Sequence, residues 1–232
     1  MSVIKVNSIL DPTKSYNYVD DGNPMKGGMK DVYFSPDRKY VVAFFRETLD
    51  FNQKDRIKRI VGLYLENIKK GQSSDFFLDD IFRWPYDAVE KNGKTGVIVP
   101  IYDSKFFFKK GYISSDGIKG IEKKGVWFTA PSFRNKQYPL TLDKSELGDW
   151  LSYFQIGINL SRGVKKMHQM GLAHSDLSYN NVLIDPISKS ANIIDLDGLV
   201  VPGLFPPEVI GTADFIAPEV LTTKHLKLSD PN

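Results

Sequence analysis

Residues 174–181 read HSDLSYNN. A carboxylate such as Asp176 could take the proton of an attacking hydroxyl, and an amide oxygen such as that of Asn181 could ligate a hard metal ion. Asp and Asn also build ordinary turns, because their short side chains bond nearby backbone. The stretch by itself does not choose between these readings, so its neighbours must. NVLID and ANIIDLDG follow, two short apolar runs that each end in aspartate. They read as a β-hairpin presenting carboxylates at its tips. Gly211-Thr212 comes next, and Ala217-Pro218-Glu219 closes the series.

The elements that must position these residues can be read from periodicity. VYFS (32–35) and YVVAFF (40–45) flank the turn-rich SPDRK and predict a hairpin. Ile57, Val61, Tyr64 and Ile68 recur at helical spacing and predict a helix over 54–69. IFRW (81–84) and GVIVPIY (96–102) read as two more strands, with DAVEKNGKT as the loop between them. Residues 103–142 mix aromatics, lysines and glycines. They read as β-hairpins whose aromatics pack and whose lysines are solvated, in preference to a single-stranded nucleic-acid surface. A long helix is expected over about 145–170. Asp143 with Glu146 resembles its capping box, Leu147, Leu151, Phe154 and Ile158 form an apolar stripe, and Gly171 is placed to end it.

The bulk numbers bound the function classes. The 232 residues are 41% hydrophobic and 25% charged, ordinary for a globular chain. A net charge of +3, with lysines spread along the sequence, does not point to nucleic acid. Cysteine is absent, which excludes disulfides and thiolate metal sites. No run approaches the roughly 20 apolar residues that span a bilayer, and MSVIKVNSIL lacks a secretory apolar segment. A cytoplasmic protein without membrane or nucleic-acid partners is the expectation.

The order and spacing of HSDLSYNN, DLD and APE resemble the protein kinase superfamily, whose pattern is H-R-D-L-x-x-x-x-N, D-F-G and A-P-E. The match is tightest from about Gly171 to Glu219 and looser back to about residue 20. HSDLSYNNVLID, IIDLDGLVVPG, PPEVIGTADFIAPEV, WPYDAV and GVIVP look closer still to bacterial kinase-like proteins of tellurium-resistance and stress operons. The resemblance implies a bilobal α+β fold. An antiparallel-sheet N-lobe would occupy 1–102. A partial helical C-lobe would occupy 103–232, with an insertion at 103–142 and the catalytic loop and activation segment at 171–221. It implies ATP and Mg2+ as cofactors. Asp176 matches the catalytic base, Asn181 and Asp195 the metal ligands, and Thr212 the threonine that orients the base. Gly22, Gly27 and Gly28 match a loose phosphate-covering loop, to which Lys26 or Lys30 could add charge. Ala43 matches the alanine of the nucleotide-binding strand. Pro100 and Tyr102 match the hinge backbone that holds adenine.

The departures are as informative. Ser175 replaces the arginine that reads activation-loop phosphate, and Leu196–Gly211 contains no Ser, Thr or Tyr. Control by phosphorylation there is not expected. Ser178 stands where a lysine often follows the catalytic aspartate. The strand lysine is missing: alignment on Ala43 puts Phe45 in its place, and a shift by one puts Arg46 there. Glu66, the helix glutamate, lies opposite the apolar stripe and reads as solvated. The chain stops at Asn232, shortly after APE; either it is truncated, or a second chain completes the C-lobe as a partner beside a protein substrate. Three functions compete: a Ser/Thr protein kinase, a nucleotide-binding pseudokinase or scaffold, and a small-molecule phosphotransferase. GTADFIAPE argues against the last.

Overall fold

In the structure, a computed structural model, residues 2–70, 78–113, 116–128, 140–201, 203–205, 211–212 and 215–216 are described. The fold is α+β and divides into two compact units. The first comprises Met1–Asp79, Arg83–Tyr102 and Asp195–Asp197; the second comprises Asp80–Phe82, Asp103–Ile194 and Gly198–Asn232. Among the described residues no helix is long and apolar enough to cross a membrane.

The first unit is built on a seven-stranded antiparallel sheet of order β2-β1-β6-β7-β5-β4-β3. The strands are β1 (Ser2–Ser8), β2 (Ser15–Asp20), β3 (Met25–Lys26), β4 (Lys30–Phe34), β5 (Tyr40–Phe45), β6 (Asp87–Lys91) and β7 (Lys94–Pro100). The β4–β5 hairpin forms as expected. IFRW does not form a strand. Its first residue ends the short helix α3 (Leu78–Ile81), and DAVEK supplies β6. The reason is the turn after it. Asn92 and Gly93 both adopt positive φ, 51° and 77°, the I′ geometry whose twist suits a two-residue hairpin. Gly96 lies opposite Phe44, whose ring fills the space a side chain would need: a Cβ there would meet Phe44 Cδ1 at 2.8 Å.

One sheet face buries Val6, Tyr18, Val42, Phe44, Val89 and Ile98; the other packs Ala43, Phe45, Ala88 and Val97 on Ile57 and Val61. These last two lie on a helical segment of three parts: α1 (Phe51–Arg59), a π-helical turn (Ile60–Tyr64) and α2 (Leu65–Lys70). Asp50 and Gln53 form a reciprocal capping box at its start. The π turn widens the buried stripe to Ile57, Ile60, Val61, Leu65 and Ile68, and the Trp84 indole donates to the Ile60 carbonyl at 2.9 Å.

The second unit centres on helix α4 (Trp150–Gln169), the small sheet β10-β8-β9 (Leu140–Thr141, Tyr112–Ile113, Asp116–Gly117) and the hairpin β11 (Val182–Asp185)–β12 (Ser190–Ile193). The cap of α4 is Asp149 with Ser152, so Asp143 is not its cap; Asp143 instead caps a 3-10 turn at Lys144–Glu146. The expected stripe is also on the wrong face. Leu151, Phe154 and Ile158 are exposed, whereas Ser152, Ile156, Gly163 and Met167 are buried. Gly163 admits a close neighbour, since a Cβ would lie 2.4 Å from Ile81 Cγ2. Small and large residues share the packed face, and Gly163 marks its closest approach.

The 103–142 segment buries Phe106, Phe108 and Ile118. One of its lysines is not solvated. Lys123 is 2% exposed, and its ammonium lies 2.7 Å from both Glu146 Oε2 and Asp185 Oδ1. Asp185 therefore does not present a carboxylate at a hairpin tip. Burial pushes its carboxyl up, but Lys123 and two bonds from Ser188 outweigh this and hold it below the usual carboxylate value.

Candidate functional site

Helix α4 ends where the first motif begins. Gly171 has φ 69°, and the Leu172 N–H reaches back to the Met167 carbonyl at 3.1 Å, a left-handed C-terminal stop. The next residues are tied to a later segment by paired backbone bonds between Ala173 and Val200, 3.0 and 2.8 Å. His174 is locked by both nitrogens. Nε2 lies 3.0 Å from the Ile194 carbonyl, and Nδ1 accepts from the Asp176 N–H at 3.2 Å. A carbonyl can only accept and an N–H only donate, so the ring is the neutral Nε2–H tautomer. It supports the loop.

The Asp176 carboxylate is held at both oxygens. Oδ1 accepts from the Thr212 N–H at 2.8 Å and from its hydroxyl at 2.6 Å. Oδ2 accepts from Asn181 Nδ2 at 2.9 Å, and the same nitrogen donates to the Asp176 carbonyl at 2.7 Å. Both partners of that amide are acceptors, so its nitrogen must face them and its oxygen is the atom left for a hard cation. Gly211 makes the approach of Thr212 possible. Its φ is 118°, and a Cβ would stand 2.7 Å from the Ser175 carbonyl oxygen. Ser178 is 1% exposed, and its hydroxyl accepts from the Asn180 N–H at 3.3 Å. Where the resemblance expects a lysine near phosphate, this chain has a buried loop-shaping serine. Ala217, Pro218 and Glu219 lie outside the described residues.

Asp195 belongs to the first unit. Its φ of 62° is left-handed, an uncommon choice for a residue with a side chain and one that clusters at functional sites. Its Oδ1 receives the Lys30 ammonium at 2.7 Å. The same ammonium donates to Asp197 at 2.7 and 2.8 Å. Burial lowers the tendency of Lys30 to hold its proton, yet the Asp197 and Asp195 carboxylates outweigh this and raise its pKa. Burial pushes the Asp197 carboxyl up against the pull of Lys30. Two carboxylates share one ammonium, so the cluster carries one net negative charge when both are ionised.

Arg46 does not join this cluster. Its guanidinium donates to the Gly27 and Gly28 carbonyls and to Asp31 Oδ1 at 3.0 Å. In this arrangement it clamps the glycine hairpin between β3 and β4. Gly27 pairs across that hairpin with Lys30, while Gly22, at φ 80°, turns the chain before β3. Ala43 is buried in the sheet opposite Val97. Pro100 ends β7 opposite Tyr40, the Ile101 N–H is taken by the Lys39 carbonyl at 3.2 Å, and Tyr102 closes this stretch of the first unit. Glu66 is exposed, as its wheel position implies.

Carboxylate and amide oxygens are the hard donors Mg2+ prefers; the first unit offers the Asp195 carboxylate and, separately, the second unit offers the Asn181 amide oxygen. Among the described residues no three His, Asp or Glu side chains gather into a set that would hold a metal unaided. Mg2+ is commonly held by one or two such groups with phosphate oxygens and water completing its shell, and the donor types fit that pattern.

No protein-family model matches the chain. Among curated proteins it is similar to the dual serine/threonine and tyrosine protein kinase of Apis mellifera, 32% identical over 73 residues, which is 32% of this chain and 7% of that protein. It is likewise 32% identical over 71 residues to the proteins of the same name from Gallus gallus and Homo sapiens, 31% of this chain and 8% of each. The local likeness is to protein kinases. The chain spans under a tenth of the length of these relatives. Among solved structures it is similar to the pseudokinase domain of BIR2, an immune regulator of the RLK/Pelle family, at 16% identity and a TM-score of 0.47, over 88% of this chain and 52% of that one.

Proposed function

We propose that this chain is an ATP- and Mg2+-dependent phosphotransferase of the protein-kinase type, acting on the hydroxyl of a protein substrate, of Ser/Thr type. The observation that carries the reading is the Asp176 carboxylate, fixed at both oxygens by Thr212 and Asn181. Phosphoryl transfer needs little covalent chemistry from the protein; it needs positioning and charge neutralisation. A carboxylate so oriented is suited to accept the proton of an attacking hydroxyl, and Asn181 of the second unit and Asp195 of the first each have a hard oxygen of the type that would hold Mg2+. When bound, the metal neutralises charge on the transferred phosphate. His174 fixes the loop through its neutral tautomer. The 32% identity to protein kinases supports this class, and HSDLSYNNVLID with IIDLDGLVVPG supports a place among the bacterial kinase-like proteins of tellurium-resistance and stress operons. A cytoplasmic setting belongs to the same reading.

The test is calorimetric titration of the chain with ATP, with and without Mg2+, on the wild type and Asp195→Ala. Mg2+-dependent binding that Asp195→Ala weakens at least tenfold is expected. A wild type that folds cooperatively and binds no nucleotide would overturn the proposal.

A further inference from the structure

We infer that Lys30 is the phosphate-binding cation of the nucleotide site, supplied from β4 instead of β5, and that Asp197 is the positioning residue that holds it. The inference rests on the phosphotransferase reading and adds to it the residue that meets the phosphates.

The register makes the substitution possible. Lys30 pairs directly with Phe45 across the β4–β5 ladder. Phe45 is the residue that alignment on Ala43 puts at the missing strand lysine. Directly opposed residues on antiparallel strands project from one face, with Cβ atoms about 4.5–5.5 Å apart. A lysine at either position therefore reaches the same volume, and here the Lys30 ammonium lies 5.2 Å from the centroid of the Phe45 ring. The aromatic face gives the cation a favourable wall. Arg46, the other candidate on these strands, has its guanidinium turned to the glycine hairpin.

The two carboxylates divide the work. The Asp197 side chain is 8% exposed and meets the ammonium with both oxygens; the Asp195 side chain is 53% exposed and meets it with one. The buried, two-point partner is the anchor. The exposed partner is the one that faces a ligand. Asp197 thus supplies the pairing that Glu66, exposed on α2, does not. Because the cluster is net negative without a divalent ion, a bare triphosphate is repelled and binding through Lys30 requires Mg2+.

The experiment is calorimetric titration of the full chain with Mg-ATP and with adenosine, on the wild type, Lys30→Met, Lys30→Arg, Asp197→Asn, Lys30→Met with Asp197→Asn, and Lys30→Met with Phe45→Lys. Lys30→Met should weaken Mg-ATP about 10–100-fold, the size of a lost bond between charged groups, and leave adenosine unchanged. Phe45→Lys should restore most of the loss, since it returns the charge from the opposite strand. Lys30→Arg should restore only part, because a guanidinium is not a compact point charge. Asp197→Asn should weaken Mg-ATP with Lys30 present and have no further effect once Lys30 is gone. The Lys30→Met with Asp197→Asn variant, lacking the stranded buried charge, keeps the binding measurement valid where the single variant unfolds. A wild type that binds no Mg-ATP would overturn the phosphotransferase reading. Tight wild-type binding that Lys30→Met leaves intact, or a loss that Phe45→Lys does not reverse, would overturn this inference alone.

Discussion

Replacing Thr212 by valine exchanges one hydroxyl for a methyl. Valine keeps the branched shape, so no cavity opens; the methyl must draw back from the 2.6 Å that the hydroxyl holds, and the backbone N–H of residue 212 remains the donor to Asp176. What is lost is the 2.6 Å bond from the hydroxyl to Asp176 Oδ1, one of three side-chain and backbone bonds to that carboxylate. A hydrogen bond to a charged group contributes about 1.5–3 kcal/mol. If that energy orients the base in the transition state, kcat falls about 10–150-fold, at 1.36 kcal/mol per factor of ten. KM for Mg-ATP should not move, because the bond lies on Asp176 and not on the metal ligands. Thr212→Ser keeps the hydroxyl and should recover most of the rate. The assay is steady-state phosphotransfer with thermal unfolding run in parallel. An unchanged kcat, or a loss expressed in KM, would refute the reasoning.

Three further outcomes are expected. Lys123→Met leaves Glu146 and Asp185 buried without their shared cation and should cost about 3–5 kcal/mol, measured by urea unfolding; adding Glu146→Gln and Asp185→Asn should recover much of it. Asp185 is held below its usual value in the folded state, so its stabilisation is complete above the unfolded value near 3.9 and is lost as pH falls through the folded one. Asp185→Asn should flatten the acid limb of the stability profile below about pH 4, and an unchanged limb would contradict the pairing. Gly96→Ala drives a methyl to within 2.8 Å of the Phe44 ring and should cost about 1–3 kcal/mol in thermal unfolding; a neutral result would mean the sheet face is looser than described.

The loop that carries Asp176 and Asn181 was legible because its logic is local. Asp176, Asn181 and Gly211-Thr212 sit at fixed spacings in turns, and side chains that bond within a turn leave a readable pattern. Gly171 and the β4–β5 hairpin were legible for the same reason. The Lys30 pairing was not, because it depends on register between strands, which sequence periodicity does not give. Alignment named two strand positions for the cation, Phe45 and Arg46, and Lys30 entered only as added charge on the glycine loop. The signal that could have found it was the hairpin itself: once β4 and β5 pair, Lys30 must face Phe45. Helix α4 misled for a different reason. A stripe of Leu147, Leu151, Phe154 and Ile158 reads as a core face, yet the packed face carries Ser152, Ile156, Gly163 and Met167, and Gly163 lets Ile81 come close. The buried Lys123 was hidden too, since a lysine among aromatics is usually solvated, and its two carboxylates lie 23 and 62 residues away in sequence.

The central claim is tested most directly by following labelled γ-phosphate from Mg-ATP to protein, sugar and small-alcohol acceptors, with the wild type and Asp176→Asn side by side. Transfer to protein hydroxyls that falls about 100–10,000-fold in Asp176→Asn, while Mg-ATP binding persists, is the predicted result. A wild type that binds Mg-ATP and transfers phosphate to none of these acceptors would contradict it and make the chain a nucleotide-binding pseudokinase.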